Sequence, residues 1–168
     1  MNSWVKTVNG KGGAAAVAVL SVACLAVAVY LQESKGWFPC ALCIVQRYAY
    51  LGTGLMALLA LLVANINRSL SRGALSFGLL VALAGMGVAA YHVWVLAHPG
   101  VTCGVDPLQV RLNALPWTPW WPMMFEADGL CTADYPPLLG LHLPAWSGAG
   151  LLVQAVWMAQ TLRRLNRP

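Results

Sequence analysis

Four long apolar stretches, near residues 13–31, 44–64, 74–96 and 145–162, constrain this chain more than anything else in it. Each is long enough to cross roughly 30 Å of hydrocarbon as a helix. In lipid the backbone must satisfy its own hydrogen bonds, so such segments become helices that pack on one another. Composition agrees, with 60% hydrophobic and 9% charged residues, against about 25% charged in a soluble domain. No repeat, low-complexity tract or long linker divides the chain. It reads as one integral membrane domain over residues 1–168, an all-α bundle of four transmembrane helices with outer loops at about 32–43 and 97–144.

Charge gives the orientation. Lys6, Lys11, Arg68, Arg72, Arg163, Arg164 and Arg167 fall at the two termini and the second connection, which share a side if there are four spans. Glu33, Asp106, Glu126, Asp128 and Asp134, all the acidic residues, fall in the other two connections. Basic residues stay on the cytoplasmic side, so both termini are expected there and both acidic loops outside. The net charge of +5 is thus a topology signal and calls for no nucleic-acid partner.

Four of the five cysteines land on the outer side, where disulfides persist. Cys40 and Cys43 open the second span as a C-x-x-C pair, and Cys103 and Cys131 lie in the long loop. Cys24, mid-membrane, reads as a small buried apolar residue. Its neighbours Leu20–Cys24 faintly resemble a lipoprotein cleavage site, but the apolar run continues to Leu31, so an uncleaved anchor is expected. Zinc would need all four outer cysteines to converge, and the stretch between Cys43 and Cys103 fits no compact zinc module; no metal is expected. Two stapling disulfides, or a relay of exchanging thiols, remain, and the arrangement favours the relay.

The residues around the C-x-x-C support redox work. Pro39 fits the opening turn of a helix, and thiols at a helix N-terminus feel the positive end of its dipole, which favours thiolate. Arg47 is four residues beyond Cys43, on the same helix face, where its guanidinium can sit beside that thiolate. A cation just inside lipid has either to snorkel or to serve a site. The combination suggests electron transfer between thiols and something in the membrane. Farther on, the stretch 112–125 interleaves Trp117, Trp120 and Trp121 with Pro116, Pro119 and Pro122. The prolines forbid a long helix here, leaving room for a short one near 108–115, and the indoles favour the headgroup level. This loop segment is expected to lie on the membrane and hold the loop cysteines near Cys40.

These features together resemble the DsbB family. They comprise four spans, Cys40-Ala-Leu-Cys43-Ile-Val-Gln-Arg47 at the start of the second, a cysteine pair in the second outer loop, and Leu138-Leu139-Gly140-Leu141-His142-Leu143-Pro144-Ala145-Trp146 leading into the last. One departure is Gln46, where a relative carries an acidic residue, so no role for a carboxylate transfers. The resemblance implies a bacterial inner-membrane thiol:quinone oxidoreductase that reoxidises a periplasmic DsbA-type thioredoxin-fold protein. It implies redox disulfides Cys40–Cys43 and Cys103–Cys131, with the partner attacking at Cys103, and then either Cys131 engaging Cys40 or exchange within the loop passing electrons to Cys40–Cys43. Cys43 would donate to a quinone, ubiquinone or menaquinone, and Arg47 would stabilise the charge that develops. His92, near the outer end of the third span, could bond a quinone carbonyl or equally a neighbouring helix; His98 and His142 are set aside. Two other readings are a structural membrane protein with stapled loops and a vitamin K epoxide reductase-like enzyme. The latter is expected to carry its C-x-x-C in the last span of its core, not here.

Overall fold

The computed structural model describes residues 3–98, 107–133 and 135–166, with side chains from residue 12 onward. Cys103, Asp106, Asp134 and Arg167 lie outside the described residues, as do the side chains of Lys6 and Lys11. Six helices follow in order: α1 Ser3–Lys35, α2 Ala41–Val63, α3 Arg68–Ala97, α4 Pro107–Asn113, α5 Pro122–Phe125 and α6 Leu143–Asn166. A 3-10 turn, Thr118–Trp120, separates α4 from α5. The described residues contain no strand, only an isolated bridge between Leu138 and Leu141.

Three of the four expected spans are helices long and apolar enough to cross a membrane: residues 12–35 of α1, all of α2 and all of α3. The helix at the fourth position, α6, runs well past the expected 145–162 and carries Arg163 and Arg164 in its last turn. Helix boundaries follow local chemistry. Asn67 caps α3 by accepting the Leu70 amide at 3.0 Å, and Pro144 sits in the first turn of α6, where its missing N–H costs nothing. Pro39, expected inside the opening turn of α2, instead lies outside it. Cys40 is the extended N-cap residue, its carbonyl taking the Ile44 amide, so the helix starts at Ala41 and the Pro39 carbonyl is left for other use.

α2 packs on α1 and α3, and α6 packs on the same two from the other side. Small residues carry much of the contact: Ala14, Ala57, Ala60 and Ala74 are buried around Leu75 and Met158. That is how helices gain close contact where lipid removes the hydrophobic drive to associate. Arg68 at the start of α3 donates to the Leu165 carbonyl at the end of α6, so these two basic helix ends are together.

Polar residues deep in the apolar helices find one another. Thr53 of α2 donates to Gln154 Oε1 of α6 at 2.7 Å, and Gln154 Nε2 donates to Ser21 Oγ of α1 at 3.0 Å. All three are buried, so the triangle ties three helices at mid-depth. Gln154→Ala leaves Thr53 its bond to the Tyr50 carbonyl at 3.0 Å and leaves Ser21 a 3.4 Å contact with Thr53. Its expected cost is about 1–3 kcal/mol for two interhelical hydrogen bonds, read by unfolding in mixed micelles with increasing sodium dodecyl sulfate.

Candidate redox site

Cys40 and Cys43 occupy the N-cap and third residue of α2, with Sγ atoms 3.7 Å apart as a dithiol. Cys40 is buried, Cys43 half-buried. Against them lies His92 of α3, 4% exposed. Its Nε2 is 3.7 Å from Cys40 Sγ and its Nδ1 4.0 Å from Cys43 Sγ. Gln46 Nε2 meets the same Nδ1 at 3.3 Å. An amide nitrogen can only donate, so Nδ1 accepts and the ring hydrogen sits on Nε2, facing Cys40. His92 and Gln46 therefore belong to the dithiol's immediate surroundings.

The loop brings a third sulfur. Asp128 and Gly129 both donate their amides to the Pro39 carbonyl at 3.0 Å. Gly129 is required by this approach, because a Cβ there would run into the Phe38 carbonyl. On the far side, Tyr135 stacks on Trp37 at 5.2 Å and donates to the Phe38 carbonyl at 3.1 Å. Asn113 of α4 makes a reciprocal pair with the Ala127 backbone at 2.8 and 2.9 Å, and Gln109 donates to the same carbonyl. Held between these ties, Cys131 packs against Cys40 and hydrogen-bonds with it. It also takes the Leu42 amide, one of the unpaired N–H groups of the first turn of α2. The hydrogen bond from Cys40, then that amide, hold the Cys131 thiol down to about 7 despite burial. The Cys40 thiol is pushed up, chiefly because its proton is engaged by Cys131 and Cys43. The helix N-terminus thus acts on the loop sulfur as well as on the C-x-x-C.

Arg47 is 6% exposed and does not reach out to water. Its Nη1 donates to the Met123 and Met124 carbonyls at 2.9 and 3.3 Å, and its Nη2 to Gln32 Oε1 at 3.0 Å. It therefore binds the carbonyl end of α5 to α2 and to the end of α1. Trp117 adds a bond to Tyr48 at 2.8 Å, and Tyr48 stacks on Phe125. The tryptophan-rich segment, broken by its prolines as expected, leaves Trp117, Trp120 and Trp121 exposed.

A family model described as "Disulfide bond formation protein DsbB" matches residues 11–161. The chain belongs to the DsbB family. A "Disulfide bond formation protein B" of Cupriavidus necator is 45% identical over 90% of this chain and 91% of its own length. Those of Herminiimonas arsenicoxydans and Pseudomonas syringae are 41% and 38% identical, each covering 89% of this chain and 92% and 89% of their own lengths. DsbB membership fixes the reaction class as disulfide bond formation, the work of an oxidoreductase of a membrane protein family, and the vitamin K epoxide reductase-like reading falls away.

Within this DsbB-family structure, Cys40, Cys43, Cys131 and His92 come together, Arg47 stands beside them with its hydrogen bonds directed to the loop, and Cys103 lies outside the described residues. Cys24 packs instead with Leu25, Tyr50 and Leu151 among the helices, and His98 stacks on Trp94 and bonds its carbonyl. Gln46 is the residue that sequence reasoning passed over. Its signal was a buried amide one helical turn from Cys43 on an otherwise apolar segment.

The lowered Cys131 thiol has a direct test. With Cys24, Cys43 and Cys103 replaced by serine, reaction of Cys131 with a disulfide reagent should reach half its maximal rate near pH 7. Adding Cys40→Ala removes the main donor. The thiolate fraction at pH 7 falls up to roughly 50-fold, offset roughly eight-fold by greater nucleophilicity, for a net slowing of up to about six-fold. Identical pH profiles in both proteins would remove that hydrogen bond from the account.

Proposed function

We propose that this protein is a bacterial inner-membrane thiol:quinone oxidoreductase that reoxidises a DsbA-type periplasmic dithiol protein and hands the two electrons to a membrane quinone. The observation that carries the reading is the line of sulfurs from the loop, Cys131, to the N-cap, Cys40, to Cys43 inside the first turn. In this reading α6 is the fourth span, the termini are cytoplasmic and the loop of α4 and α5 is periplasmic. The union of the basic ends of α3 and α6 supports that orientation, since basic ends stay inside. The exposed tryptophans then rest at the headgroup level.

Electrons move by thiol–disulfide exchange. The partner's thiolate attacks the Cys103–Cys131 disulfide at Cys103, and Cys131 leaves as a thiolate. The Leu42 amide, which needs no cysteine proton, favours it as a leaving group. Cys131 then attacks Cys40 of the Cys40–Cys43 disulfide, and Cys43 leaves. The second partner thiol resolves its mixed disulfide with Cys103, releasing oxidised partner. Exchange back to Cys103 frees Cys40, and the pair becomes the reduced dithiol. A bound quinone supplies a two-electron, two-proton acceptor for it. Elsewhere on α3, an apolar groove of about 280 Å³ runs against α6, lined by Met86, Ala89, Val93, Pro144, Gly148 and Leu152. Ala89 and Val93 neighbour His92 along α3, but His92, Cys43 and Arg47 do not line this groove. In this reading His92 takes the proton of the Cys43 thiol at Nδ1, displacing the Gln46 amide from that lone pair, and Arg47 holds positive charge one helical turn deeper.

Purified protein mixed with quinone and a reduced DsbA-type protein should consume quinone absorbance only when all four outer cysteines are present. Cys103→Ser should abolish the mixed disulfide with the partner, Cys131→Ser should accumulate it, and Cys24→Ser should turn over near the wild-type rate. Full turnover in both loop variants would make the loop cysteines structural staples.

Arg47→Ala removes both a buried charge beside the dithiol and the clamp on Met123 and Met124. Expected is about a 100-fold fall in quinone turnover, the scale for losing a preorganised charge at a reacting centre, with part of the rate recovered by Arg47→Lys. Steady-state rates against quinone concentration decide it; unchanged turnover and quinone affinity in Arg47→Ala would leave this arginine a purely structural clamp.

A further inference from the structure

The dithiol is also half of a metal site. Cys40, Cys43 and His92 present ligand atoms that all lie within 4.8 Å of one another; Cys131 hydrogen-bonds with Cys40 but lies beyond that distance from at least one of the others, so the loop sulfur has to close in to complete a tetrahedron. Sequence spacing argued against zinc because it counted cysteines along the chain; the histidine that completes the set comes from α3. A tetrahedral zinc with Zn–S of about 2.3 Å and Zn–N of about 2.05 Å sets its sulfurs about 3.8 Å apart and sulfur to nitrogen about 3.6 Å apart. The corresponding separations are 3.7 Å for Cys40 to Cys43 and 3.7 Å for Cys40 to His92 Nε2. Gln46 already contacts Nδ1, the other ring nitrogen. With its amide turned to present Oε1, it would fix Nε2 as the ligand, the outer contact that metal-bound histidines regularly have.

We propose that the fully reduced protein captures one Zn²⁺ ion through Cys40, Cys43, Cys131 and His92, withdrawing the dithiol from exchange until the metal leaves. The proposal rests on the reading of these thiols as a relay, since only a protein that cycles through the dithiol would expose the site in turnover. Three sulfur–zinc bonds and one nitrogen–zinc bond form, the sulfur protons go to solvent, and no electron moves. Either disulfide, Cys40–Cys43 or Cys40–Cys131, consumes two of the three sulfurs, so capture is confined to the reduced state. Metal and quinone then compete for one form of the enzyme. With quinone limiting and the reduced form dominant, free Zn²⁺ at ten times its dissociation constant should slow turnover about eleven-fold, and chelator should restore it.

The test uses full-length protein in detergent micelles, reduced, freed of metal, and titrated with Co²⁺ as a spectroscopic probe and then with Zn²⁺ against a chromophoric chelator. Expected are one equivalent taken up, intense thiolate-to-cobalt absorption with the visible bands of a tetrahedral site, and displacement by Zn²⁺. Cys131→Ser should lower the charge-transfer intensity by about a third. Gln46→Ala, which leaves all four ligands, should weaken affinity about 10- to 100-fold, and Cys24→Ser should change nothing. The proposal fails if the reduced protein takes up no saturable equivalent, or if the oxidised protein or Cys40→Ser/Cys43→Ser takes up the same. Quinone reduction by the same preparation separates the two claims: turnover without metal capture overturns only this inference, whereas no turnover overturns the relay beneath it.

Discussion

The backbone carbonyl of Pro39 is the point on which the site is built. It lies just ahead of the N-cap, outside α2, and receives two amides from the far loop, those of Asp128 and Gly129. Because proline fixes the chain direction there and Cys40 follows in extended conformation, the carbonyl faces the loop and not the helix. Two residues beyond Gly129, Cys131 is then delivered to Cys40. The remaining ties of the loop, from Arg47, Asn113, Gln109 and Tyr135, close around that contact.

The electrostatics follow from where this contact falls. The first turn of a helix has amides without partners, and here one of them serves a sulfur of another segment, through Leu42. Cys131 gains stabilisation as a thiolate while Cys40, engaged by both neighbours, keeps its proton. The three sulfurs thus differ in character although they touch. That difference belongs to the reduced protein, in which Cys40 has a proton to donate; when Cys40 is in a disulfide, the Leu42 amide is what stays with the loop sulfur.

What could be read from the chain alone was what is local or periodic. Apolar length gave the helices, the C-x-x-C announced itself by adjacency, and Pro116, Pro119 and Pro122 marked where the loop could not be one helix. The contacts that join distant segments were harder. The nearness of the loop cysteines to Cys40 was expected from the membrane-lying tryptophan segment, the direct engagement of Cys131 with Cys40 came with the family resemblance, and His92 was placed at the right depth but without knowledge of which way its ring turned. Gln46, Gln154, Thr53 and Ser21 carried a usable sign, because a polar side chain in an apolar helix has to find a partner, but nothing in the sequence says which partner. Pro39 was misjudged by two positions: helix N1 and the residue before an N-cap both accept proline, and the conformation of Cys40 distinguishes them.

The depth of the polar groups has an energetic corollary for the cell. Cys40, Cys43, Cys131 and His92, which would take up and release protons, are all gathered at one end of the helices. Below them, the Ser21–Thr53–Gln154 triangle consists of groups that do not ionise at neutral pH and that bond one another and the Tyr50 carbonyl. Among the described residues it offers no titratable step across the membrane. Electrons and protons that come in from one face would leave on the same face, so oxidation of the partner would carry no charge through the bilayer. On the proposed orientation, such an enzyme would draw on the redox difference between dithiol and quinone, with no charge moved across the bilayer by the Ser21–Thr53–Gln154 triangle.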